Sequence, residues 1–200
     1  MLSFKHKKQK VKVASCYEEL NVDQLQKLVA TKFKDNVDDW LRVFSILSGI
    51  SYTAVRDSKD NSIESALYAG VRFVFEQPFD FESLPMPTFV VIKGKTVLIP
   101  KNLGRLSIGQ AIQVRQRIEK TKDLREALSI ATAVYLQPIV DDEPFDYARA
   151  EVLEQEILQM PATKIFPIGF FLLRRLTRSG NPLKRIWLLM RLMITSVEGK

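Results

Sequence analysis

The 200-residue chain reads as a mainly α protein, a compact multi-helix domain with a small β-hairpin insertion over about 88–99 and a C-terminal helical hairpin. Three observations predict this. Apolar residues recur at helical spacing in most segments, as in Leu25, Leu28 and Val29 or in Trp40, Leu41, Phe44 and Leu47. Residues that cap helices stand where those runs begin, Asn21 with Gln24 at the capping-box position being the clearest. One segment breaks the helical period: Thr88–Ile92 and Thr96–Ile99 are strand-like, are joined by Lys93-Gly94-Lys95 and are closed by Pro100.

Taken in order, Val11–Ala14 alternates and predicts a short strand, a candidate to form a tiny sheet with the later hairpin. A helix is expected over about 22–32 and a second from Val37 to Leu47, stopped by Gly49. Ser51 opens a short helical turn. Ser62, with Glu64 in the first turn, opens a helix over Ile63, Leu67, Tyr68 and Val71. Pro78, Pro85 and Pro87 interrupt the pattern ahead of the hairpin. Ser107 caps a helix reaching about Glu119, and Thr121 caps another that runs through Leu136 and stops before Pro138. Val140–Pro144 is a polar loop, and a helix over about 146–160 ends at Pro161. Pro167 starts an apolar helix that runs into Arg174 and Arg175. Gly180-Asn181-Pro182 is a turn before a last helix, Leu183 to about Val197, which carries Ile186, Trp187, Leu189, Met190 and Met193. The chain holds no internal repeat and no low-complexity tract.

Composition is that of a globular protein, 46% apolar and 26% charged. A chain of this size buries roughly 70% of its unfolded surface, so it needs neither disulfide nor metal to hold a core. The net charge of +7 is unevenly spread. Residues 1–12 hold five lysines and no acid, residues 161–200 hold eight basic residues against Glu198, and the stretch between them is mildly acidic. The expected organisation is therefore a basic N-terminal arm (1–12), a helical body with the hairpin (13–160), and an apolar and basic C-terminal helical hairpin (161–200). Basic ends of this kind meet acidic partners, nucleic-acid backbones or anionic membrane surfaces.

Proton-transfer and metal chemistry find little to use. His6 is the only histidine and stands among lysines with no acid near it in sequence, so a Ser-His-Asp or Cys-His site has no second candidate. Cys16 is the only cysteine, which excludes an internal disulfide and a zinc site of paired thiolates, and it reads as a small buried side chain. Gly94-Lys95-Thr96 ends like a phosphate-binding loop, but Phe89 replaces the first glycine and a strand follows where a helix is needed. Gly104 and Gly109 have the right spacing, but Gln110 stands where the lysine belongs. Asp38-Asp39 falls in a first helical turn, and Asp141-Asp142-Glu143 lacks the alternation of a calcium loop. No residue set nominates a reaction, a cofactor or a metal, so a non-enzymatic protein is expected. The N-terminus lacks a secretory pattern and no run reaches about 18 apolar residues, so synthesis in a reducing cytosol is expected.

The contact surfaces expected from charge are Lys5, Lys7, Lys8 and Lys10 at one end and Arg174, Arg175, Arg178, Lys184, Arg185, Trp187 and Arg191 at the other. Two readings of the C-terminal stretch stand side by side. In one, Phe166–Leu173 and the last helix are a buried hairpin with basic residues reaching the surface. In the other they form an exposed amphipathic face for a partner or a membrane. Aromatic and basic residues are too little interleaved for sequence-specific nucleic-acid reading, which leaves non-specific phosphate contact by the lysines.

Five phrases in consistent order carry a family resemblance: Tyr17-Glu18-Glu19-Leu20-Asn21-Val22 with Gln24, Phe44-Ser45-Ile46-Leu47-Ser48-Gly49-Ile50, Leu106-Ser107-Ile108-Gly109-Gln110, Tyr135-Leu136-Gln137-Pro138, and Phe166-Pro167-Ile168-Gly169-Phe170-Phe171-Leu172. Together they resemble small proteins encoded among the virion and tail genes of tailed phages of Bacteroides-like bacteria, crAss-like phages included. The resemblance implies a virion component, a packaged cargo protein or a tail-assembly chaperone, present in many copies and partnered by portal, capsid or tail proteins. It brings no catalytic residue with it. A membrane partner is not expected.

Overall fold

The computed structural model describes residues 1–6, 9–31, 33–59, 61–76, 84–100, 103–104, 106–121 and 126–178. Among these residues lie eight α-helices and two separate two-stranded antiparallel sheets, so the chain is mainly helical, as its periodicities predict. It divides into two compact units, Met1–Phe79 and Asp80–Lys200. β1 and β2 pack within unit 1, and the stretch from Ala162 packs within unit 2.

Unit 1 opens with β1 (Leu2–His6) and β2 (Gln9–Val13), paired from Leu2 opposite Val13 to His6 opposite Gln9. The basic arm is thus a β-ribbon. Its register pairs Leu2 with Val13 and Phe4 with Val11 on one face, and Ser3 with Lys12 and Lys5 with Lys10 on the other, because strand residues alternate between faces. Following a short 3-10 turn at Tyr17–Glu19, the Asn21 side chain accepts from the Gln24 amide at 2.8 Å and begins α1 (Val22–Ala30). The Asn36 side chain accepts from the Asp39 amide at 2.9 Å and begins α2 (Val37–Ser48), which ends at Gly49 with φ of 70°, the left-handed conformation glycine adopts most readily. Ser51 caps α3 (Tyr52–Arg56), and α4 (Asn61–Glu76) completes the unit. The ribbon lies directly on α4 and α2. A Cβ on Gly70 of α4 would come within 3.1 Å of Val13 Cγ1, and the Phe4 and Phe44 rings are 5.7 Å apart.

Unit 2 contains β3 (Phe89–Ile92) and β4 (Lys95–Leu98), which pair only with each other, so the expected sheet with Val11–Ala14 does not form. Lys93 and Gly94 both have positive φ, 53° and 72°, the two-residue turn whose twist matches that of the strands. Four helices follow: α5 (Ile108–Thr121), α6 (Glu126–Asp141), α7 (Tyr147–Leu158) and α8 (Ala162–Arg178). Ala127, Leu128, Ile130, Ala131, Ala133, Val134 and Leu136 of α6 are all buried. A helix that is apolar around its whole circumference belongs in the middle, and α6 packs against α5, α7, α8 and β4.

Several expected boundaries move. α6 does not stop before Pro138 but passes through it to Asp141, for a reason given below. α8 starts at Ala162 and contains Pro167, since burying Ala162, Ile165 and Phe166 outweighs one missing hydrogen bond. Thr121 ends α5, its hydroxyl donating to the Arg117 carbonyl at 3.0 Å. The Gly180–Pro182 turn and the helix from Leu183 lie outside the described residues.

Candidate interaction surfaces

Four of the acids singled out from the sequence, Asp38, Asp39, Asp141 and Glu143, are engaged in local structure. Asp39 is buried and accepts from the Lys34 amide at 2.7 Å, while Asp38 pairs with Arg42 at 2.7 Å and accepts from the Tyr52 hydroxyl. The Tyr52 hydrogen bond holds the Asp38 carboxyl below its ordinary value. In the second acidic cluster, Asp141 stands 3.9 Å from Lys93 and accepts from Gln137 at 3.1 Å, and Glu143 pairs with Arg149. Cys16 is a free, half-buried thiol whose pKa burial and Glu18 raise, the opposite of what a nucleophile requires. His6 closes β1. Among the described residues no three His, Cys, Asp or Glu side chains gather to hold a metal, and no helix is long and apolar enough to cross a membrane.

The predicted contact residues fall into three groups. Lys10 is exposed on the outer face of the ribbon beside Lys12, with Lys5 opposite Lys10 in the register. Lys7, Lys8, Lys184, Arg185, Trp187 and Arg191 lie outside the described residues, as do the side chains of Lys5 and Arg178. Arg174 and Arg175 are exposed on α8. Arg175 is not a free cation: it donates to the Leu103 carbonyl, and its guanidinium lies 5.1 Å from the centre of the Phe171 ring. Between the two readings of the C-terminal stretch, burial decides for residues 162–176. Ile165, Phe166, Ile168, Leu172, Leu173 and Leu176 are core, and a Cβ on Gly169 would come within 2.7 Å of the Leu128 carbonyl of α6.

The structure adds a surface that charge alone did not point to. Phe89 and Leu98 face each other across the β3–β4 hairpin, with Val91 on the same side, and all three are largely exposed (49%, 73% and 53%). The opposite face, Val90, Ile92 and Val97, is buried. The signal was present in Phe89-Val90-Val91-Ile92: four apolar residues in a row on a strand with one solvated face must leave two of them outside. Beside the turn of this hairpin, Lys93, Lys95, Asp141, Glu143 and Arg149 line an open groove of about 490 Å³. Its charges are largely answered internally, Lys95 donating to the Val140 carbonyl near the end of α6 at 3.3 Å.

Both capping-box glutamines do a second job. Gln24 Nε2 donates to the Leu47 carbonyl at the end of α2 at 2.9 Å. Gln110 accepts from the Ser107 amide at 2.9 Å and donates through Nε2 to the Val134 carbonyl at 2.7 Å. Val134 lies four residues before Pro138, so its carbonyl is the one that proline leaves without an intrahelical donor. Gln110 supplies that donor, and this is why α6 continues. Gln24 therefore bonds the phrase 17–24 to 44–50, and Gln110 bonds the phrase 106–110 to Val134, the residue just before the phrase 135–138.

Comparison of the chain with protein-family models, with curated proteins and with solved structures returns no match.

Proposed function

We propose that this chain is a non-enzymatic bacteriophage virion-associated protein, a structural or packaged component of capsid or tail that acts through protein–protein contacts, with basic surfaces that meet DNA or acidic partners. The observation that carries the reading is the outward apolar face of the β3–β4 hairpin, Phe89, Val91 and Leu98, on two strands that are both sheet edges. Exposed apolar side chains beside unpaired strand edges are a template for docking another chain. The engagement of the acids and of Cys16 in local structure agrees with a protein that works by contact. The resemblance of the five sequence phrases to virion and tail gene products supplies the setting, and many copies beside portal, capsid or tail proteins fit it.

The second reading, a cytoplasmic tail-assembly chaperone or adaptor that is not retained, uses the same apolar face to hold a client. Mass spectrometry of purified particles separates the two. A virion component is found there at fixed stoichiometry, whereas a chaperone is present in infected cells and missing from particles. Expression in cells that carry no phage genome would remove both. Phe89→Ser with Leu98→Ser is expected to leave the fold intact and to abolish incorporation, since it removes most of the apolar face and spares the buried Val90, Ile92 and Val97. Incorporation at the wild-type level would show that this face is not the docking surface.

A further inference from the structure

The N-terminal β-ribbon presents a face with one kind of chemistry. Its inner side is anchored: Val13 is fully buried, Phe4 lies against Phe44, and Gly70 leaves the space that Val13 occupies. The outer side carries Ser3, Lys10 and Lys12, all exposed, and the register sets Lys5 opposite Lys10. Residues 1–12 contain no acid. Neither Lys10 nor Lys12 makes a salt bridge among the described residues. Glu19, which follows the ribbon, is taken by the Met1 ammonium group and by the Ser15 amide at 2.8 Å and hydroxyl at 2.9 Å.

We propose that this outer face is a sequence-independent docking surface for the phosphate backbone of double-stranded DNA. Lysines two residues apart on one strand are ~7 Å apart along the ribbon, and directly cross-strand neighbours are separated by ~5 Å. Lysines at this spacing suit a polymer bearing one negative charge per ~1.7 Å of axis, which releases condensed counterions when they neutralise it. The described outer side holds no aromatic or large apolar residue to anchor a protein hot spot or to insert into a bilayer. It also holds no arginine, asparagine or glutamine to read base edges, so contact is to the backbone alone. The setting rests on the virion reading above, in which the protein lies near packaged DNA, whereas the binding itself is testable without it.

The test is fluorescence anisotropy of the full chain with a labelled duplex of arbitrary sequence, between ~50 and ~200 mM salt. With two to three lysines engaged, log K falls against log salt with a slope of about −2 to −3. Lys10→Gln with Lys12→Gln is expected to reduce that slope by about 2 and to weaken binding on the order of a hundredfold at ~50 mM salt. Lys34→Gln with Lys59→Gln changes net charge equally at exposed positions off the ribbon and should leave the slope unchanged. An unfolding midpoint equal to wild type verifies that each variant folds. Three outcomes would overturn the proposal: no duplex binding at low salt, equal losses in the two double variants, or anionic lipid vesicles bound as tightly as DNA through the same lysines. Ribbon-dependent DNA binding by a protein missing from purified particles would sink the virion setting and leave the surface standing.

Discussion

Pro138 deprives the Val134 carbonyl of its helical donor, and Gln110, 24 residues earlier, replaces that donor at 2.7 Å. A buried carbonyl left unpaired costs about 1–3 kcal/mol. Gln110→Met should therefore destabilise the protein by roughly 2–3 kcal/mol, the lost cap contributing part. In a Pro138→Ala background the restored amide bonds Val134 itself, and the same substitution should cost at least ~1 kcal/mol less. Urea denaturation of the four proteins measures the coupling, and equal costs in the two backgrounds would refute the substitution of side chain for backbone. Tyr17 makes a separate prediction. Burial pushes its hydroxyl up to about 12, with the ring edge-on to Phe73 at 4.8 Å. The unfolded chain loses that proton near pH 10 and the folded chain later, so the contribution is intact below pH 10 and is lost as pH rises from about 10 towards 12. Tyr17→Phe should flatten this part of the stability profile relative to wild type; parallel profiles would contradict it.

At the scale of elements, caps and turns were the legible part. Asn21 with Gln24, Gly49, Ser51 and the Lys93-Gly94 turn all stand within four residues of the backbone groups they serve, whereas the Asn36 cap of α2 came only from the structure. Helix continuity across Pro138 was not legible, because the compensating donor comes from another helix. Neither was the closeness of α8 to α6. An added Cβ on Gly169 would lie 2.7 Å from the Leu128 carbonyl and 2.8 Å from Thr132 Oγ1, so this glycine sets how near the two helices come. At an exposed helical site Gly→Ala gains about 1 kcal/mol. Here Gly169→Ala should lose about 1–3 kcal/mol through overpacking, read as a lower denaturation midpoint. A midpoint that rises would show that the helices have room.

For the whole molecule, net charge mattered less than where the fold puts each cation. The lysine-rich N-terminus reads as an arm, and its strands Leu2–His6 and Gln9–Val13 pair as a ribbon, because Leu2, Phe4, Val11 and Val13 alternate with polar residues and find an apolar seat on α2 and α4. The C-terminal stretch offered the same kind of signal, apolar with flanking arginines, and took the other course over residues 162–176. There the apolar side became core, and Arg175 turned to the Leu103 carbonyl. The particle and DNA-binding experiments belong to this scale, since both ask which surfaces remain available once folding is complete.

By itself the sequence determined a mainly helical chain, the starts and stops of most helices, the β3–β4 hairpin, and a supply of charge with almost no proton-transfer chemistry. These features depend on neighbours within about one helical turn or on simple counting. Only the tertiary structure decided which apolar stretch is buried, which lysines share a face, and which side chain answers an orphaned carbonyl. Each of those depends on residues far apart in the chain meeting in space, and burial energy belongs to the meeting.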